Sequence, residues 1–334
     1  MQKRPSPPRP FQHAKAKDLA EIESLLKQGH PIHMALKDPF PTGIRASELL
    51  PLLDSFSSSD PQFDRCVQTH LPPQARENPE PLSVTAIIPT HRQTPIGLDA
   101  LRKQDCDVEV LVLLDGGGNA EGDRVERVAW EGHGKTRQRG VEMAQGDYVL
   151  FTVDDALPRG SGCVRALVEA LEEGEYDAVF GRQIPWPSTD PITKRRLRHW
   201  TPPGQEHRRM ERLDHVFALY RRETLLKHPL PDVPIGEDLH WRQGRRIGYV
   251  PTAPVIHAHP RMARQLFRRT RDLHVQHHAL GEQPLVPSAI ALALAIPSIV
   301  EPLFRAGPQE LPNQIAELLG QWRAAKMTRR QPTP

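Results

Sequence analysis

Residues 148–153, Tyr-Val-Leu-Phe-Thr-Val, run directly into two carboxylates, Asp154 and Asp155, with Pro158 close behind. This stretch restricts the fold more than any other. An apolar, β-branched run of that length reads as a strand covered on both faces. Such strands belong to parallel sheets buried under helices. Ligands of those sheets sit outside the carboxyl ends of the strands, where Asp154 and Asp155 fall. Two adjacent carboxylates repel, so they favour water or a cation, and a divalent metal with a phosphate-bearing substrate suits them. A turn that merely contains two Asp residues is the other reading of the same letters.

The surrounding chain alternates strand and helix. Ser83–Pro89, Val108–Asp115 and Asp177–Ile184 read as buried strands, and Val125–Trp130 as a further one. Ile96–Arg102, Lys135–Ala144 and Ser161–Glu172 read as helices, the last with Ser161 as N-cap. The alternation predicts an α/β fold, a doubly wound mixed and mainly parallel sheet with flanking helices. Residues 185–212 are polar and rich in Pro, Arg and His. They read as a long irregular stretch, either a substrate lid or acceptor loop or a plain surface loop. Order returns at 215–227, then a helix Leu239–Arg246 and a strongly basic helix Arg261–Leu273.

Composition narrows the function classes. A net charge of +3 on 334 residues gives no case for nucleic-acid binding. Cys66, Cys106 and Cys163 are scattered, with neither a disulfide framework nor a zinc pattern, which fits a reducing, cytoplasmic setting. The basic, proline-rich start lacks the apolar stretch of a secretory signal. Helical spacing recurs at 17–28 and less clearly at 46–56, and Pro72–Pro81 has linker composition. Nothing ahead of that linker carries visible chemistry. Pro287–Phe304 is the most apolar segment. Pro297, Glu301 and Pro302 interrupt it, leaving less than the roughly 20 residues that span a bilayer. Ile315, Leu318, Leu319 and Trp322 share helical spacing, with Arg323, Lys326, Arg329 and Arg330 beyond. That helix predicts either peripheral contact with an anionic membrane, at its inner face, or packing on the main domain, and the basic helix before it reads either as a contact to an anionic acceptor or membrane surface or as a solvated basic face.

Asp115, Asp154, Asp155 and the pair Glu237-Asp238 fall where α/β enzymes place catalytic carboxylates. His257 and His259 alternate, so in an extended segment their rings share a face. Both then point at one metal or phosphate, or one ring is buried and the other solvated.

In this order the stretches are recognisable. Val84–Arg92, Val110–Gly117, Gly134–Gly140, Phe151–Pro158 and Gly236-Glu237-Asp238 with His257-Ala258-His259 together resemble the inverting nucleotide-sugar glycosyltransferases of family 2, which have the GT-A fold. The resemblance covers 83–260 and leaves 1–80 unaddressed. Arg137 takes the Arg of the family's Ala-Arg-Asn-X-Gly segment and Gln138 its Asn. Val153 replaces the first acid of the usual Asp-X-Asp.

Linker composition and the helical patterns predict a helical, proline-rich extension (1–80) and a helical tail (274–334), and the resemblance implies a GT-A catalytic domain (81–273) between them. It implies a nucleotide-sugar donor and a glycan, lipid-linked or other hydroxyl acceptor. Asp238 would be the base, with Glu237 beside it orienting the site or binding acceptor hydroxyls. Pro89, Thr90, Arg92, Asp115 and Asp154 would bind donor, and Arg137 would pair with a carboxylate or with the diphosphate. Asp155, with His257 or His259, would hold Mn²⁺ or Mg²⁺. The product would belong to a polysaccharide or other glycoconjugate. Val153 supports a rival: a sugar-nucleotide-binding or scaffold protein that kept the fold and lost turnover.

Overall fold

The computed structural model describes residues 82–91, 94–185, 189, 191–257, 263–282 and 311–328. The expected helices at 17–28 and 46–56, the linker, the apolar stretch 287–304, Arg92 and His259 lie outside the described residues.

The strands are β1 (Ser83–Thr90), β2 (Asp107–Leu114), β3 (Arg124–Arg127), β4 (Tyr148–Thr152), β5 (Leu157–Pro158), β6 (Ala178–Ile184), β7 (Arg208–Met210), β8 (Phe217–Arg221) and β9 (Ile247–Ile256). They form one mixed sheet in the order β3-β2-β1-β4-β8-β6-β9-β5, with β7 also paired to β9. From β3 to β4 the pairing is parallel. β8 then runs antiparallel to both β4 and β6, while β6 and β9 are parallel. The helices are α1 (Leu98–Arg102), α2 (His133–Met143), α3 (Cys163–Glu173), α4 (Pro191–Trp200), α5 (Arg222–Lys227), α6 (Glu237–Trp241), α7 (Ala263–Ala279) and α8 (Leu311–Thr328).

Why the strands read as unbroken apolar runs is visible in the two cores. Val84, Ala86, Ile88, Val110, Val112 and Leu150 point to one face, under Leu98 and Leu101 of α1 and Val164, Leu167 and Leu171 of α3. Ile87, Leu111, Leu113, Val149 and Phe151 point to the other, under Val141 of α2, Leu225 of α5 and Trp241 of α6. Neighbouring residues alternate faces and both faces are covered, so every position is apolar. Each large side chain fully buried contributes about 1.5–3 kcal/mol.

Several elements differ from expectation. The stretch 185–212 is not wholly irregular: it contains α4 and β7. α3 is capped at Gly162, not Ser161, with no side-chain cap bond. β3 ends at Arg127, short of Trp130. The helix expected from Leu239 starts two residues earlier, at Glu237, and stops at Trp241. α7 continues past residue 273 to Ala279. On α8 the buried residues are Gln314, Ala316, Gly320, Ala324 and Ala325, whereas Ile315 and Leu319 are exposed. The reason is close packing on α7. A Cβ on Gly320 would lie 2.7 Å from the carbonyl oxygen of Phe267, so the small residues face inward and the branched ones cannot. The two helices, α7 and α8, pack on each other, and no described helix is long and apolar enough to cross a membrane.

Candidate active site

The side chains that carry chemistry gather at the carboxyl ends of the parallel strands. Thr90 and Leu114 are register partners, so His91 and Asp115 leave the sheet side by side. The Asp115 N–H donates to the Thr90 carbonyl at 2.9 Å. His91 Nδ1 lies 3.1 Å from Asp115 Oδ2, and the Trp130 N–H donates to Oδ1 at 3.3 Å. The Trp130 ring tilts against His91 at 5.0 Å and meets His133 at 4.8 Å edge-on. Asp115 thus stands beside an aromatic wall that the sequence did not reveal. On the other side of β1, Thr90 Oγ1 donates to Asp154 Oδ2 at 2.6 Å. Burial, and then the charge of Asp155, push the Asp154 carboxyl up to about 6 against that bond. Pro89 lies half-buried one residue before Thr90.

Asp155 and His257 meet because their strands do. β5 follows Asp155 and pairs with the end of β9, where Leu157 faces Ile256. β6 ends beside the same residue, and the His257 N–H donates to the Ile184 carbonyl at 2.9 Å. His257 Nε2 lies 3.5 Å from Asp155 Oδ1, and both residues are buried. Behind His257, its Nδ1 is 3.0 Å from Gln183 Oε1. The Gln183 amide donates in turn to Asp214 Oδ2 at 2.6 Å. A bulge between Gly181 and Arg182 shifts the register of β6 just before Gln183, and bulges re-aim side chains in this way.

The third group lies on the other sheet face. Gly236 adopts a left-handed conformation (φ 82°) that a side chain would resist, and this turn starts α6 at Glu237. Glu237 Oε1 accepts from Arg137 Nη1 at 2.7 Å and from His215 Nδ1 at 3.1 Å. His215 Nε2 lies 2.6 Å from the Tyr220 hydroxyl. Burial alone would raise the Glu237 pKa. The His215 bond and the Arg137 charge outweigh it and hold the carboxyl well below the usual range. For Asp238 the balance reverses. Burial, reinforced by the charges of Glu237 and Asp214, raises its pKa despite His215 and the Leu239 N–H that donates to Oδ1 at 2.8 Å. His133 is pushed down to about 4 by burial and by Arg137, whose guanidinium lies 3.3 Å away.

Arg137 is therefore committed to Glu237. His133 links this group to Trp130 and Asp115, and the charge of His91 reaches Asp154, so the three groups border one another. Sequence reasoning missed His91, Trp130, His133, Gln183, Asp214, His215 and Tyr220. No single-stretch pattern marks them: His91, Gln183, Asp214 and His215 bond partners distant in the chain, and His133 and Tyr220 join the site through these and Arg137. A divalent cation fits between Asp155 and His257, where a carboxylate oxygen faces an imidazole nitrogen. Among the described residues no three His, Cys, Asp or Glu side chains converge on one point. A cation there would take its other ligands from water and substrate oxygens, as Mg²⁺ and Mn²⁺ commonly do beside phosphates.

Residues 85–227 match the family model described as glycosyl transferase family 2. The O-antigen chain rhamnosyltransferase RfbN of Salmonella typhimurium is 25% identical over 229 residues, covering 59% of this chain and 73% of that protein. Among solved structures, the mannosyltransferase PcManGT from Pyrobaculum calidifontis, in complex with GDP-Man and Mn²⁺, superposes with a TM-score of 0.52. It is 17% identical over 86% of this chain and 99% of its own. Staphylococcus aureus TarS 1–349, in complex with UDP-GlcNAc, gives 0.42 at 14% identity over 75% and 92%. Residues 85–227 thus form a region that matches glycosyl transferase family 2, and the mixed sheet with its flanking helices has the GT-A fold.

Proposed function

We propose that the protein is a metal-dependent, inverting glycosyltransferase that moves a sugar from a nucleoside-diphosphate sugar to an acceptor hydroxyl. One arrangement carries this reading: at the start of α6 the Glu237 carboxylate is tied to Arg137 Nη1 at 2.7 Å and to His215 Nδ1 at 3.1 Å, while its neighbour Asp238 takes the Leu239 N–H at 2.8 Å. Environments that push paired carboxylates apart mark distinct roles. Glu237, held anionic by Arg137 and His215, fixes the start of α6 and keeps its charge. Asp238, whose carboxyl takes a proton more readily than usual, is the base. It receives the acceptor proton as the acceptor oxygen attacks the anomeric carbon. The bond from that carbon to the diphosphate breaks on the opposite side, the nucleoside diphosphate leaves, and the configuration inverts. A positioned base of this kind contributes about 10²–10⁴-fold.

Asp115, with the Trp130 wall beside it, receives the nucleobase or ribose. Asp154, oriented by Thr90, receives ribose or donor-sugar hydroxyls. Asp155 and His257 hold a divalent cation, Mn²⁺ or Mg²⁺, which supplies charge neutralisation for the departing diphosphate. The Mn²⁺ in the PcManGT complex supports that choice of ion. The rhamnosyltransferase relative supports a hexosyl or deoxyhexosyl donor and a surface-polysaccharide product. The non-catalytic rival rested on Val153. The paired Asp155 and His257 and the split Glu237-Asp238 pair speak against it.

The experiment is nucleotide release from UDP-, dTDP- and GDP-sugars with Mn²⁺, with Mg²⁺ and with chelator. The expected result is slow, metal-dependent release from one donor, faster with acceptor present. A protein that binds none of these donors, with or without metal, is not this enzyme.

A further inference from the structure

The hydrogen bonds behind His257 have one consistent direction. Asp214, as a carboxylate, can only accept: Oδ1 takes the Val216 N–H at 3.1 Å and Oδ2 takes the Gln183 amide at 2.6 Å. Gln183 must therefore turn its NH₂ to Asp214 and its carbonyl to His257. A carbonyl also only accepts, so at 3.0 Å from it His257 Nδ1 must carry the proton. That leaves Nε2, the nitrogen 3.5 Å from Asp155 Oδ1, as the one able to present a lone pair. Gln183 is buried next to buried His257, so the chain is not readily replaced by solvent.

We propose that Asp214 and Gln183 are positioning residues that fix the ring tautomer of His257, so that Nε2 can ligate a divalent cation shared with Asp155. The proposal rests on the metal reading above and adds to it two residues that touch neither metal nor substrate. It also gives the dipeptide Asp214-His215 a double task. Asp214 orients the metal histidine through Gln183, while its neighbour His215 bonds Glu237 beside the base. One turn before β8 thereby sets the spacing between the leaving-group side and the acceptor side of the reaction.

The direction of the chain makes the test specific. In Asp214→Asn, Oδ1 keeps the Val216 bond and the new NH₂ faces Gln183. Gln183 then turns its carbonyl to Asn and its NH₂ to His257, which forces the ring proton onto Nε2. Adding Gln183→Glu restores the order, because Glu accepts from both neighbours. Two readouts on the full chain are needed: titration with Mn²⁺ alone, followed by electron paramagnetic resonance of the free ion, and ring ¹⁵N spectra without metal, with His257 assigned through His257→Asn. The expected result is Mn²⁺ affinity about 10–100-fold weaker in Asp214→Asn, the usual effect of losing an outer partner of a metal histidine. The ring proton should move to Nε2 in that variant, and both properties should return in the double variant. A packing role would not predict that rescue.

Wild-type affinity and an unchanged ring in Asp214→Asn, or a double variant no better than the single one, would overturn the proposal. The Asp155→Asn control separates it from the reading beneath. If Asp155→Asn loses Mn²⁺ and Asp214→Asn does not, the relay alone falls. If the wild type itself fails to bind Mn²⁺, the metal reading falls and takes the relay's purpose with it.

Discussion

Arg137 and Glu237 stand 100 residues apart in the chain and 2.7 Å apart in the fold. Both are buried, and His215 shares the same carboxylate oxygen. The pair ties α2 to the start of α6, and so fixes the backbone that carries Asp238.

Breaking this pair leaves a buried charge without its partner, which costs about 3–5 kcal/mol. Arg137→Met and Glu237→Gln should each lower the melting temperature by many degrees. Joint replacement should cost less than the sum, and a double-mutant cycle measured by thermal unfolding checks this.

The same pair sets an acid dependence. Glu237 has a folded pKa well below its usual 4.5. A depressed carboxylate contributes stability that is present above the unfolded value and is lost as pH falls towards the folded one. The wild type should therefore lose more stability than Glu237→Gln as pH falls below about 4.5, with little difference between the two above it. Urea unfolding of both proteins across that range measures the difference.

Much of this was legible in the sequence, for a physical reason. β1, β2, β4 and β6 are covered on both faces, so each is a continuous apolar run. Their ends carry Asp115 and Asp154 because ionised groups must leave the core there. The Glu237-Asp238 pair, which begins a helix and is not at a strand end, stood out through its place in the family resemblance. The supporting residues did not. His215, Asp214 and Gln183 act only when β6, β8 and β9 lie side by side, and no spacing within one stretch encodes that. α8 misled because Ile315 and Leu319 are its apolar residues, whereas close approach to α7 selects Gly320, Ala316 and Ala324 for the contact.

That contact makes a prediction of its own. A Cβ at Gly320 would come within 2.7 Å of a backbone carbonyl, which cannot move aside as a flexible side chain would. Gly320→Val should push α8 off α7 and destabilise the pair by about 1–3 kcal/mol. Limited proteolysis should cut the variant in α8 faster than the wild type.

At the proposed nucleotide end, the Trp130 ring lies beside Asp115 between His91 and His133. Base–aromatic stacking is worth about 1–3 kcal/mol. Trp130→Ala should weaken inhibition by the product nucleoside diphosphate roughly tenfold, a figure within that range. Inhibition by inorganic pyrophosphate should stay unchanged, and Trp130→Phe should recover most of the loss.

The central claim is that Asp238 is the base. The most direct test is donor binding and turnover measured on the same sample of Asp238→Asn. Asn keeps the size of the side chain and an oxygen for the Leu239 N–H, but cannot accept the acceptor's proton. It also removes a carboxylate whose charge is disfavoured where it sits, so folding stability should hold or rise. The account predicts unchanged donor and Mn²⁺ binding, an intact melting temperature and transfer reduced by about 10²–10⁴-fold. Transfer at the wild-type rate in this variant would contradict it.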